Sequence, residues 1–287
     1  MSYPPPYRPD RRSDHASQGD PRRVARWLLG LIGSMALFGA LGVTALYHVT
    51  AEEPAKDSLR RATAALTEID ALLARHEDTL RTAAEEAEAG EMLQLQDYPI
   101  ALGLTAEDVT KRPHDELRTL ILDRSVDRLY EDGTGALRES AEGRGRIGTF
   151  SVAGITDRGL GTLTSDNHSM FGILAAVLLA GAAGLTIATA AACRGWGRLS
   201  AAGIVLVLGG AATLAMGGIV SLYAGASASG EDDYARAELY RVLEELAMAP
   251  VLAGTACLAA GIVVTGVALF AGVASRAEAP ARAAEAG

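Results

Sequence analysis

Four long stretches of the sequence lack charged residues altogether. Residues 27–49, 170–193, 199–222 and 250–274 contain no Asp, Glu, Lys or Arg. Each stretch can cross the hydrocarbon core of a bilayer, which takes about 20 apolar residues in a helix. Pumps and proton-coupled carriers usually need ionisable groups at membrane depth, so this lack argues against both. The sequence therefore predicts four transmembrane helices.

Motifs for chemistry are also missing. The sequence has no G-x-S-x-G, S-x-x-K or H-E-x-x-H pattern, and its five histidines are scattered without metal-ligand spacing. A G-x-G-x-x-G pattern at residues 143–148 lies in a charged loop, whereas a dinucleotide site needs a strand before it and a helix after it. We therefore predict a non-enzymatic protein without catalytic, cofactor-binding or metal-binding residues.

Cysteine and basic patches are scarce as well. Cys193 and Cys257 fall at different predicted membrane depths, about 20 Å apart at 1.5 Å of rise per residue, so they cannot form a disulfide. The net charge is −9, and neither large polar segment is basic enough to indicate a nucleic-acid partner. Lysine occurs only at Lys56 and Lys111 among many arginines, a usage that suggests a bacterial source.

The orientation in the membrane follows from the arginines. Residues 194–198 form a short turn that contains Arg194 and Arg198, and the first 26 residues are also rich in arginine. Basic residues favour the cytoplasmic side of a membrane. We expect a disordered cytoplasmic tail over 1–26, a cytoplasmic turn over 194–198, a cytoplasmic tail over 275–287, and both termini inside the cell. A cleaved signal peptide is the alternative for 27–49, whose apolar run is longer than such signals usually have.

Residues 50–169 are predicted to form a mostly helical extracytoplasmic domain between spans one and two. Apolar residues spaced by three and four indicate one long heptad helix over 55–89. Its seam includes Leu59, Leu66, Ile69, Leu73 and Leu80. Such a seam has to pack against a later segment or against another chain.

Shorter elements follow in the same region. Thr105 and Asp108 match a capping box at the start of a short helix, and a second helix is predicted over 114–130 after Pro113. Ile100, Leu102 and Leu104 alternate as in a short extended segment that has no evident partner.

A second extracytoplasmic loop is predicted over 223–249, and it contains an amphipathic helix. Leu239, Leu243 and Leu246 lie on the apolar face of this helix, and its polar face is acidic. Helices that lie on anionic lipid usually carry Lys and Arg on the polar face. We therefore expect this helix to pack on the extracytoplasmic domain.

Small residues recur at every fourth position in the spans, which lets helix backbones approach closely in lipid. The predicted fold is an all-α integral membrane protein, a four-helix transmembrane bundle with an inserted extracytoplasmic domain, located in the cell membrane.

The predicted function is that of a scaffold or interaction protein that binds a protein partner or a second copy through its extracytoplasmic helices. Eight residues are predicted to bind this partner: Leu59, Leu66, Ile69, Leu73, Leu80, Leu239, Leu243 and Leu246. Two alternatives remain open at this point. One is a transporter or channel component, and the other is a membrane-anchored ligand sensor that acts through a separate partner.

Overall fold

The structure, a computed structural model, describes residues 21–88, 91–95, 98–100, 102–133, 162–231 and 233–285. The described elements, in chain order, are α1 (Pro21–Val49), α2 (Glu52–Thr67), α3 (Ile69–Glu86), β1 (Met92–Leu93), β2 (Leu104–Thr105), α4 (Ala106–Lys111), α5 (His114–Asp132), α6 (Ser165–Ala191), α7 (Gly197–Gly230) and α8 (Tyr234–Glu285). The predicted charged loop with the G-x-G-x-x-G pattern at residues 143–148 and the first 20 residues of the predicted tail lie outside the described residues. Residues 21–26 of that tail are helical instead, since they form the start of α1.

Four of these helices are long and apolar enough to cross a membrane. They provide candidate spans at Val24–Val49, Ser165–Ala191, Gly197–Gly230 and Tyr234–Ser275. The predicted arrangement of a multi-pass membrane protein with a helical region between the first two spans is confirmed. We call α1, α6, α7 and α8 the span bundle, and we call residues 50–133 the helical region.

The boundary before the last span differs from the prediction. Instead of a loop helix followed by a separate span at 250–274, α8 is one helix of 52 residues that passes through Pro250 without a break. Proline usually kinks a helix because it lacks an N–H group. Here the Pro250 ring packs beside Gly217 of α7, where a Cβ atom would lie 3.2 Å from the ring. The helix therefore continues through the proline at a point where it packs closely on α7.

The predicted single heptad helix over 55–89 is wrong. The segment forms two helices, α2 and α3, because Glu68 between them adopts a left-handed conformation with φ 46° and ψ 45°. A non-glycine residue in this region is strained by about 1–3 kcal/mol. The break lets α2 pack on α5 while α3 packs mainly on α4, so the two halves of the apolar seam face different partners.

The helical region has a closed core of its own. The fully buried side chains include Leu59, Ile69, Leu73, Tyr98, Leu117 and Ile121. The hydroxyl group of Tyr98 lies 2.7 Å from Ser125 Oγ, so the polar end of this buried ring is satisfied. The predicted capping box is confirmed, because Asp108 N donates to Thr105 Oγ1 and Thr105 N donates to Asp108 Oδ2.

Ion pairs at the edge of this core link α2 and α3 to α5. Lys56 lies 2.7 Å from Asp127, and Arg60 pairs with Asp123. The hydrogen bond to Asp127 raises the pKa of Lys56. On α3, Asp70 accepts from Arg118 at 2.5 Å. The predicted extended segment also finds a partner, since β2 pairs antiparallel with β1.

The span bundle is held by backbone contact between α7 and α8. A Cβ atom on Gly210 would lie 2.6 Å from Leu258 N, and one on Gly254 would lie 2.5 Å from Leu214 N. Farther along, a Cβ on Gly261 would lie 2.7 Å from Val207 N. Only glycine fits at such separations. On the other side of the bundle, α1 packs mainly on α6 and also on α7, and it contacts α8 much less.

Candidate ligand site between the spans and the helical region

A cavity of about 640 Å³ lies where the span bundle meets the helical region. It is bounded by the second half of α1, the middle of α7 and the first part of α8. Ser58 and Ala62 of α2 and the nearby Leu163 close its top. The cavity therefore lies where the helical region contacts the bundle.

Small residues on α1 create the space. A Cβ atom on Gly39 or on Gly42 would meet no neighbouring group within 4 Å among the described residues, and both glycines line the cavity. The opposite wall is part of α8 and includes Leu239, Leu243 and Leu246. Because α1 contacts α8 so little, the gap between these two helices stays open at this level.

The wall is almost entirely apolar and runs deep into the bundle. It extends along α1 from Phe38 to Thr50, which is a rise of about 18 Å at 1.5 Å per residue. The cavity therefore extends along about half of the candidate span Val24–Val49, which has 26 residues.

A second pocket, of about 480 Å³, adjoins the cavity, and we call it the polar pocket because charged side chains form part of its wall. The two share Val49, Ser58 and Leu246, so the polar pocket sits directly beside the top of the cavity. Its charged members, on α2 and α8, are Glu53, Asp57, Arg61 and Glu245. Three carboxylates against one guanidinium give this pocket a negative balance.

One ion pair bridges the helical region and the last span at this pocket. Arg61 donates two hydrogen bonds to the Glu245 carboxylate, one of them 2.6 Å long between Nη1 and Oε1. The bond from Arg61 lowers the pKa of Glu245, and the bond to Glu245 raises the pKa of Arg61. The pair stays charged near neutral pH and links α2 to α8. The predicted amphipathic helix, now the first part of α8, therefore contacts the helical region through a carboxylate of its acidic face.

The α1 side of the cavity is fixed by a polar junction. The ring of His168 stacks on Tyr47 with centroids 4.4 Å apart, and its Nδ1 lies 3.1 Å from Tyr47 O. A carbonyl oxygen only accepts, so Nδ1 carries a hydrogen here. Tyr130 of α5 donates to Thr50 O at 3.3 Å. These contacts join α1, α5 and α6 beside the cavity wall.

The structure separates the eight predicted partner-binding residues into three groups. Leu59, Ile69, Leu73 and Leu80 are buried in the core of the helical region, so this part of the seam closes within one chain. Leu66 is 44 % exposed. Leu239, Leu243 and Leu246 come together on the cavity wall. A role in binding a protein partner stays a prediction for all eight.

Sequence reasoning missed Gly39 and Gly42. Both were hidden among the other small residues of the spans, and a small residue in a sequence does not say whether a neighbouring helix fills the space beside it. The only available signal was their spacing of three, which places them on one face of α1.

Other candidate chemistry is sparse in the part of the chain that the structure describes. No group of three His, Cys, Asp or Glu side chains converges there as a metal site would require. Cys193 and Cys257 are free thiols, as their predicted depths required. Comparison with known protein families, curated proteins and solved structures found no match.

Proposed function

We propose that the chain is a non-enzymatic multi-pass membrane protein that binds an apolar, lipid-like molecule. The binding site would be the cavity between the span bundle and the helical region, which we call the junction cavity. The cavity itself carries this proposal. Small-molecule sites typically have volumes of about 300–1,000 Å³ and mostly apolar walls with a few polar groups at one end. The cavity has this size and this distribution of polarity. Its depth along α1 suits a hydrocarbon chain.

The continuity of α8 suggests how binding would be used. Residues 236–250 of this helix line the cavity, and the same helix continues without a break to Glu285 at the far end of the bundle. A ligand that favours one position of the first part of α8 would bias the whole helix. This supports a sensor that passes its state to a separate membrane partner.

We also propose an orientation for this sensor. The helical region would face outside the cell, and both termini would face the cytoplasm, as the arginines at positions 194 and 198 indicate. Modification of a single cysteine at position 196 in a background without Cys193 and Cys257 tests this. An impermeant thiol reagent should fail to reach it in intact cells and should reach it after the membrane is permeabilised.

Photolabelling tests the ligand site. The probe is a long-chain alcohol that carries a diazirine in its hydrocarbon chain, added to the full-length protein in nonionic detergent micelles. We expect saturable labelling of the peptides that contain residues 38–50 and 239–250. Gly42→Leu should reduce this labelling at least fivefold, because the leucine side chain occupies the cavity.

A matched variant controls for the substitution itself. Gly181 of α6 is exposed, and like Gly42 it has no neighbouring group within 4 Å of an added Cβ among the described residues. Gly181→Leu should leave labelling unchanged. If Gly42→Leu labels as strongly as the wild type, or if labelling never saturates, the cavity is not a binding site.

A second candidate is a scaffold that presents the helical region to a protein partner. The closed core of this region favours it, since the region can offer a fixed surface. Leu66 is the exposed member of the predicted seam. A photo-crosslinking amino acid at position 66 should give a discrete adduct in native membranes, and the same residue at position 78, also on the exposed surface, should not. Identical patterns at both positions would contradict the scaffold.

A further inference from the structure

We propose that the ligand of the junction cavity is an amphiphile with a protonated amine head group, which the polar pocket binds through Glu53 and Asp57. This inference rests on the proposed function and adds the chemical class of the ligand. The two pockets together have the shape that such a molecule needs, an apolar chamber that adjoins a charged one.

The position of the polar pocket sets where the head group would lie. The pocket is formed by the last turn of α1, the first three turns of α2 and the α8 segment around Glu245. Val49, Ser58 and Leu246 line both pockets and mark the passage between them. A molecule whose chain occupies the cavity therefore places its head group beside α2.

The charged side chains that are not already paired at this site indicate whether the head group is cationic or anionic. The two arginines near the site are already engaged, since Arg61 is bound by Glu245, and Arg236 lies 3.6 Å from Asp233. An anionic head group would have to compete with these carboxylates.

Two of the carboxylates of α2 are in a different situation. Glu53 and Asp57 are exposed side chains that line the polar pocket, and neither forms an ion pair among the described residues, although Asp57 acts electrostatically on the nearby Arg61. They lie one helical turn apart, at positions i and i+4 on one face of α2. An ammonium group can bind between two carboxylates without displacing any existing pair.

Competition against the neutral photolabel tests this head-group preference. Two competitors of equal chain length are used, a primary alkylamine and an alkyl carboxylate, with the full-length protein in nonionic micelles at neutral pH. We expect the amine to compete about tenfold better than the carboxylate, a difference of about 1.4 kcal/mol. Glu53→Gln with Asp57→Asn should bring the ratio close to one while labelling by the neutral probe persists.

A charge-matched control uses two exposed carboxylates of α3 that line neither pocket. Asp78→Asn with Glu85→Gln removes the same net charge and should keep the tenfold ratio. The proposal is overturned if amine and carboxylate compete equally in the wild type, or if the Glu53 and Asp57 variant keeps the preference. Failure of the neutral probe to label residues 38–50 and 239–250 would instead overturn the proposed function.

Discussion

The helical region and the span bundle are held together by different means. The helical region buries large side chains such as Leu73 and Ile121 in one core. In the bundle, only 11 % of the most apolar stretch of α6 is buried within the chain. Lipid is as apolar as leucine, so burying leucine between spans gains little, and close backbone contact has to stabilise the bundle. The small residues of α7 and α8 provide this contact.

The difference is also visible where the two regions meet. At this boundary the helical region has charged side chains in ion pairs and the bundle has glycines. Neither kind of residue fills the space between the two regions. The cavity lies at this boundary, where side chains suited to one environment give way to side chains suited to the other.

The largest effect should come from placing a charge in the core of the helical region. Leu73 is fully buried, whereas Leu66 on the preceding helix is 44 % exposed. We expect Leu73→Glu to destabilise the protein by about 4 kcal/mol, because it buries an unpaired carboxylate. Leu66→Glu should change stability by less than about 0.5 kcal/mol. Thermal unfolding followed by circular dichroism compares the two, and equal melting temperatures would contradict the closed core.

The bundle should be most sensitive at its glycine contacts. Gly210→Leu forces a side chain into the backbone of α8, and overpacking of this kind costs about 3 kcal/mol. Gly218 lies on the same helix, and an added Cβ there meets nothing within 4 Å among the described residues. Gly218→Leu should therefore leave the melting temperature near that of the wild type. Equal losses in the two variants would show that α7 and α8 are not in backbone contact.

A smaller effect is expected at the capping box. The Asp108 carboxylate accepts from Thr105 N and lies 2.8 Å from Arg124. Asp108→Ala removes both bonds and should cost about 1–2 kcal/mol. The neighbouring Glu107 is exposed, and its one ion pair with a described residue is with Lys111, one turn away. Glu107→Ala should cost less than about 0.5 kcal/mol in the same denaturation measurement.

Acid should weaken the helical region through two carboxylates. A hydrogen bond from His114, followed by one from Arg81, lowers the pKa of Glu77. Burial acts to raise the pKa of Asp108, but hydrogen bonds from Thr105 and Arg124 outweigh it and lower that pKa as well.

A group whose pKa is lower in the folded state stabilises the protein at pH values above its unfolded-state pKa, which is about 4 for both groups. This stabilisation is lost as the pH falls through the folded-state pKa. We expect unfolding midpoints to decline below about pH 4. The decline should be shallower in Glu77→Gln, which removes one of the two groups. An identical slope in this variant would exclude Glu77 as a contributor.

The smallest effect should appear at the bridge between the two regions. Arg61 and Glu245 are each more than one-third exposed, and exposed pairs contribute about 0–1 kcal/mol. Arg61→Gln should lower stability by less than about 1 kcal/mol, and the double variant with Glu245→Gln should lose little more. Fully additive losses in this double-mutant cycle would indicate that the pair does not couple α2 to α8.

Several parts of the fold could be predicted from the sequence because they depend on local pattern. The uncharged runs predict the spans, since a charge at membrane depth is costly. The capping box could be predicted because both of its hydrogen bonds join residues three apart.

Other parts depend on contacts that no local pattern contains. The spacing of apolar residues continues across Glu68, and glutamate is a good helix former, so nothing in the sequence marks the break. The same holds at Pro250, where packing on Gly217 overrides the usual effect of proline. The cavity depends on the open space beside Gly39 and Gly42, and the placement of α7, α8 and the helical region decides whether that space is filled.

Hydrogen–deuterium exchange of the full-length protein, with and without a long-chain alkylamine, tests the central claim most directly. The account predicts slower exchange in two separate segments at once, residues 38–50 of α1 and 236–250 of α8, with α6 unchanged. Protection in neither segment, or equal protection along all four spans, would contradict a ligand site at the junction.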